Sequence, residues 1–83
     1  MKIHLKYFAS LREKLSTSEE TWHSQALDVD ALRQELCARG EPYATVLATG
    51  VVMRYALNQE LCEPSALLSD GCEVAFFPPV TGG

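Results

Sequence analysis

"DVDALRQELCARG" (28–40) is the stretch that decides the fold of this 83-residue chain. Asp28 is a helix-capping residue, and Asp30 complements the positive end of a helix dipole. Val29, Leu32 and Leu36 recur at three- and four-residue spacing and make one apolar stripe. Arg39 is placed to complement the negative end, and Gly40 suits the left-handed turn that stops a helix. This spacing predicts one main helix, and the segments around it read differently.

Upstream, "KIHLKYF" (2–8) alternates with period two. Ile3, Leu5 and Tyr7 fall on one face; Lys2, His4, Lys6 and Phe8 fall on the other, the pattern of a half-buried strand. "ASLREKLS" (9–16) carries Leu11 and Leu15 four apart and reads as a brief helix. "SEETWHSQ" (18–25), with Trp22 as its one strongly apolar residue, reads as an edge strand with a solvated acidic face over 18–20. Downstream, "EPYATVLATG" (41–50) is a connection with a helical turn, "VVMRYALN" (51–58) a third strand and "QELCEP" (59–64) a short fourth. "SALLSDGC" (65–72) turns at Asp70-Gly71, and "EVAFF" (73–77) is the last strand. With no repeat, linker or low-complexity stretch, residues 1–83 read as a single α+β domain, a roll in which a mixed sheet wraps one main helix. Period and composition leave the strand order open.

Apolar residues make up 47% of the chain, enough for a globular core. Seven Lys and Arg against eleven Asp and Glu give a formal charge of −4, which argues against non-specific nucleic-acid binding and is compatible with a partner offering a basic surface. No 7–15-residue apolar run follows Lys2 and no transmembrane run occurs, so a cytoplasmic protein without a membrane role is expected. Cys37, Cys62 and Cys72 are odd in number and lack the spacing of zinc or redox pairs; they read as reduced thiols, with no metal site. His4 and His23 sit among polar strand neighbours without partners at ligand spacing, and are expected to be solvated.

The chain ends "FFPPVTGG" (76–83). Pro78 and Pro79 lack amide hydrogens and cannot extend a ladder, so residues 78–83 are expected to project as a tail. From Pro79 such a tail reaches roughly 17 Å. Pro79, Val80, Thr81 and Gly82 then suit a channel in a partner, since Gly82 and Gly83 carry no side chain. At the tip only the Gly83 carboxylate remains. An unhindered carboxylate can attack the α-phosphate of ATP; the acyl-adenylate formed then accepts sulfur or an amine. ATP and metal would be held by the activating enzyme, and no catalytic residue or bound cofactor is expected here.

Strand parity puts Phe77 with Ala75 opposite the face of Val74 and Phe76, and Phe8 with the lysines. Two phenylalanines on a solvent-side face predict an apolar docking patch, with Arg12 as a charged contact at its rim.

Three motifs, "YFASLRE" (7–13), "ALNQE" (56–60) and "DGCEVAFFPPVTGG" (70–83), resemble those of the small, sulfur-carrying subunits of molybdopterin synthase, the MoaD group of ubiquitin-like proteins. The resemblance covers the whole chain and is strongest at its ends. It implies a β-grasp fold and a thiocarboxylate on Gly83, made after adenylation by a ubiquitin-activating-type adenylyltransferase. The sulfur would pass to cyclic pyranopterin monophosphate inside a heterotetramer with the large synthase subunit, into which the tail inserts. It also implies that Leu61 joins the docking patch. Where the family usually has an acidic residue, this chain has Cys72, read as a tolerated change at a strand entry. Other readings are a carrier for thiamine or another sulfur product, a ubiquitin-like modifier that would appear as heavier adducts on lysines, and a purely structural interaction module.

Overall fold

The computed structural model describes residues 1–79 of the chain. Five strands and three helices follow one another as β1 (Lys2–Tyr7), α1 (Ser10–Leu15), β2 (Glu19–His23), α2 (Val29–Cys37), α3 (Tyr43–Val46), β3 (Arg54–Leu57), β4 (Glu60–Cys62) and β5 (Glu73–Phe77). The sheet order is β2-β1-β5-β3-β4. β1 and β5 run parallel at its centre, and every other neighbouring pair is antiparallel. A parallel pair needs a long crossover, and here everything between β1 and β5 serves as one.

The alternation in β1 and β5 is realised as read. Ile3, Leu5, Tyr7, Val74 and Phe76 are buried on one face against Val29, Leu32 and Leu36 of α2. Burying each such side chain contributes roughly 1.5–3 kcal/mol. Asp28 caps α2, its carboxylate accepting from Ala31 N at 2.8 Å. The next free amides at that helix end, Val29 N and Asp30 N, donate to the carbonyls of Ala66 and Pro64, which pins the 64–66 segment beside the helix. Gly40 has φ of 93°, as a helix-ending glycine should.

Four details depart from the sequence reading. β3 begins at Arg54, not at residue 51. Val51 instead closes a turn on Ala48 O and gives its own carbonyl to Arg33, so it has no backbone left for a ladder. Arg39 lies beyond the end of α2 and reaches sideways to Glu20 at 3.0 Å, with its guanidinium over the rings of Trp22 and Tyr43. Glu20 is therefore not part of a solvated acidic face. It accepts hydrogen bonds from the hydroxyls of Tyr7 and Tyr43 as well as from Arg39. Burial disfavours its charge, but these three donors outweigh that and hold its carboxyl below the usual range. Burial, with Glu20 alongside, pushes the Tyr7 phenol well up.

The fourth departure is Arg33, a charged residue in the core of the fold. It is 5% exposed, among the core side chains. Its Nε donates to Leu47 O at 2.7 Å, its Nη1 to the Tyr55 hydroxyl, and its Nη2 to Ala48 O and to Val51 O at 2.6 Å. One guanidinium thus fastens the segment that enters β3 to the middle of α2. The clue in the sequence was its position four residues after Val29, on the stripe of Leu32 and Leu36.

The candidate docking face and the tail

The face of the sheet turned away from α2 holds the expected patch. β3 pairs with β5 so that Arg54 lies opposite Phe77, and Ala56 opposite Ala75. β4 continues the second row with Leu61 opposite Ala56, and β1 with Lys6 opposite Ala75. Directly opposed residues share a face, so one row reads Lys6, Ala75, Ala56, Leu61. The row beside it holds Phe77 and Arg54, with Phe8 just past the end of β1. Phe8 and Phe77 pack edge to face, with ring centroids 6.4 Å apart.

Exposure grades across this surface. Leu61 is 69% exposed and Phe8 47%, whereas Phe77 is half-buried. Ala56 and Ala75 form a closed floor between the larger side chains. The reason is local: Phe8 shields one edge of Phe77, while Leu61 lies on the edge strand β4, with no strand beyond it to cover its side chain. That hairpin turns on Asn58 and Gln59, both at positive φ (50° and 71°), the geometry of a tight turn that follows strand twist. Asn58 is well suited to it and also locks the hairpin to β5, accepting from Glu73 N at 3.0 Å and donating its own amide to Glu73 O. This explains physically why "ALNQE" carries an asparagine.

Arg12 is exposed on α1, in the turn tied back to β1 by the Leu11 N to Phe8 O bond. It thus stands one turn from Phe8. Pro78 and Pro79 follow β5 outside any strand and are half-buried. Val80, Thr81, Gly82 and Gly83, to which the sequence assigns channel threading and sulfur loading, lie outside the described residues.

The three thiols are dispersed. Cys72 is buried in the core at the entry to β5. The Cys37 thiol donates to Leu47 O at 3.1 Å. Cys62 is half-buried, and burial together with nearby Glu63 pushes its thiol up, away from the thiolate that sulfur chemistry requires. Among the described residues, no three His, Cys, Asp or Glu side chains gather where they could hold a metal ion, and no helix is long and apolar enough to cross a membrane.

A mixed five-strand sheet with parallel central strands, wrapped on one main helix, defines a ubiquitin-like β-grasp protein. Small archaeal modifier protein 1 from Haloferax volcanii shares this fold, with a TM-score of 0.75 over 95% of this chain and 98% of that one at 20% identity. The sequence profile of the ThiS family matches residues 5–83. The molybdopterin synthase sulfur carrier subunit of Escherichia coli K12 is 41% identical over 81 residues, which span 98% of this chain and 99% of that protein. A solved complex of subunits 1 and 2 of molybdopterin-converting factor from Helicobacter pylori contains a chain that aligns over the full length of both proteins, with a TM-score of 0.67 and 26% identity. The chain belongs to the ThiS family.

Proposed function

We propose that this chain is the sulfur carrier of a molybdopterin synthase, acting in molybdenum-cofactor biosynthesis as a subunit without catalytic residues of its own. The observation that carries the reading is end-to-end similarity: the family profile runs to residue 83 and the E. coli sulfur carrier subunit matches over 98% of the chain. In this reading an adenylyltransferase of the ubiquitin-activating type joins the Gly83 carboxylate to AMP, using ATP and releasing pyrophosphate. Sulfide, or a persulfide followed by reduction of the acyl disulfide by a thiol, attacks the acyl carbon, AMP leaves and a thiocarboxylate remains, and the large synthase subunit uses that sulfur on cyclic pyranopterin monophosphate. Phe8, Phe77 and Leu61 dock on the large subunit with Arg12 at the rim, and Pro79 to Gly82 lead the tip to the reaction centre. Intact mass of protein purified from its own host tests the reading. An oxygen-to-sulfur exchange at the C-terminus is expected; adducts on other proteins' lysines, without that exchange, would replace the carrier by a modifier.

Phe77→Ala is expected to weaken binding to the large subunit at least roughly tenfold, about 1.4 kcal/mol. Phe8→Ala follows in the same direction, because removing that ring strips the edge of Phe77 as well. Neither ring belongs to the core cluster, so thermal melts on the same samples should shift little. Unchanged affinity with a large loss of melting temperature would place these rings in the core rather than at an interface.

A variant carrying Cys37→Ser, Cys62→Ser and Cys72→Ala is expected to accept and donate sulfur at the wild-type level, with a lower melting temperature from the core position of Cys72. Loss of transfer in a folded variant would move the sulfur from Gly83 to a cysteine.

A further inference from the structure

Charge is segregated between the two sides of the molecule. Strand parity puts Lys2, Lys6 and Arg54 on the open sheet face against Glu19 and Glu73, and the β3–β4 register carried one residue past β4 adds Glu63 opposite Arg54. Helix α1, beside Phe8, adds Arg12 and Lys14 against Glu13. These five cations against four carboxylates leave +1, while the rest of the chain, two Arg against seven Asp and Glu, carries −5. A protein of net charge −4 therefore presents its apolar patch inside a cationic border.

The border has a definite geometry. Arg54 flanks Phe77 in one row, Lys6 flanks Ala75 in the next, and Arg12 stands on the turn after Phe8. Lys6 already has a partner in Glu73 at 3.4 Å. Arg54 and Arg12 are both exposed and form no ion pair among the described residues. The two arginines of the other side are by contrast engaged, Arg33 with carbonyls and Arg39 with Glu20.

We infer that the large synthase subunit meets this face with an apolar socket bordered by Asp and Glu side chains, which pair with Arg54 and Arg12 and orient the carrier as it approaches. The inference rests on the proposed docking role of the open face. Its physical content is kinetic. Rim charges act mainly on association, and opposed patches attract over about a Debye length, roughly 10 Å at 0.1 M salt and 3 Å at 1 M. An acidic protein docking at an acidic rim gains speed only if the face it offers is less acidic than the rest of it, and here five of the seven cations lie on or beside that face while seven of the eleven carboxylates lie elsewhere.

The test is stopped-flow association with the large subunit from the same organism, from about 0.05 M to about 0.5 M salt. Wild-type association is expected to slow roughly tenfold across that range. Arg54→Glu should slow it roughly threefold or more at low salt, and the two curves should converge at high salt. Arg54→Glu combined with Glu41→Lys, an exposed position between α2 and α3, restores the net charge and should stay as slow as Arg54→Glu alone. A flat wild-type salt profile, an Arg54→Glu variant as fast as wild type, or full recovery in the double variant each overturns the inference. Phe77→Ala separates the two levels: unchanged affinity there removes the docking face itself and this inference with it, whereas weakened binding with no charge effect removes the acidic socket alone.

Discussion

Deleting Gly83, or appending one residue after it, is expected to abolish sulfur loading and transfer while leaving the fold intact. In the proposed function the reacting atom is the Gly83 carboxyl carbon. Without Gly83, the carboxylate moves back by one residue, about 3.5 Å of extended chain, from a channel in which reacting atoms must sit about 3–3.5 Å apart. An appended residue moves it forward and places a side chain beside the carbonyl that AMP and sulfur must approach. The body is independent of either change: β5 completes its pairing with β1 and β3 by Phe77, and the core contributed by that strand is Val74 and Phe76. Circular dichroism should match wild type, and a thiocarboxylate assay should read zero. Sulfur loading at the wild-type level in the extended protein, with its extra residue still present by mass, would refute the assignment of the tip.

The parts of this fold legible in the sequence are those whose cause is local. The alternation of Ile3, Leu5 and Tyr7 needs only neighbours two residues away, and the Asp28 cap needs only Ala31. β5 is bounded by a turn at Asp70-Gly71 and by a proline that cannot extend it. The same parity put Phe8 and Phe77 on the face away from α2. What stayed hidden depends on partners far along the chain. The parallel pairing of β1 with β5 joins residues about seventy positions apart, and nothing in either strand announces its neighbour. Glu20 looks solvated within "SEE", because Tyr7, Arg39 and Tyr43 converge on it only after folding. β3 looks three residues longer at its start than it is, since Val51 and Val52 are good strand formers; only a buried donor claiming the Val51 carbonyl shows otherwise. The docking patch is an intermediate case: its aromatic half follows from parity, whereas Leu61 entered by resemblance and is placed on that face by its pairing with Ala56.

That buried donor is the basis of the second large effect. Arg33→Ala is expected to destabilise the fold by about 3 kcal/mol or more, a large part of the total for a domain whose stability is of order 5–10 kcal/mol. The substitution removes four hydrogen bonds at once, to Leu47 O, Ala48 O, Val51 O and the Tyr55 hydroxyl. Leu47 O keeps the Cys37 thiol and Ala48 O keeps Val51 N, whereas Val51 O and the Tyr55 hydroxyl lose their partner, and a buried polar group so left costs roughly 1–3 kcal/mol, less whatever water recovers. A melting temperature lower by about 12 °C or more follows from that loss. Arg33→Lys should recover little, because an ammonium is a point donor and cannot span acceptors fanned around a planar fork. The location of the damage is also specified. The segment released is the one entering β3, the strand that supplies Arg54 and Ala56 to the open face, while α2 keeps its Asp28 cap and its contacts with β1. Amide exchange should therefore rise first over residues 47–55 and remain slow in β1. A melting temperature within about 2 °C of wild type would show that the guanidinium merely fills space, and uniform loss of protection would show that it supports the whole core rather than this one strand entry.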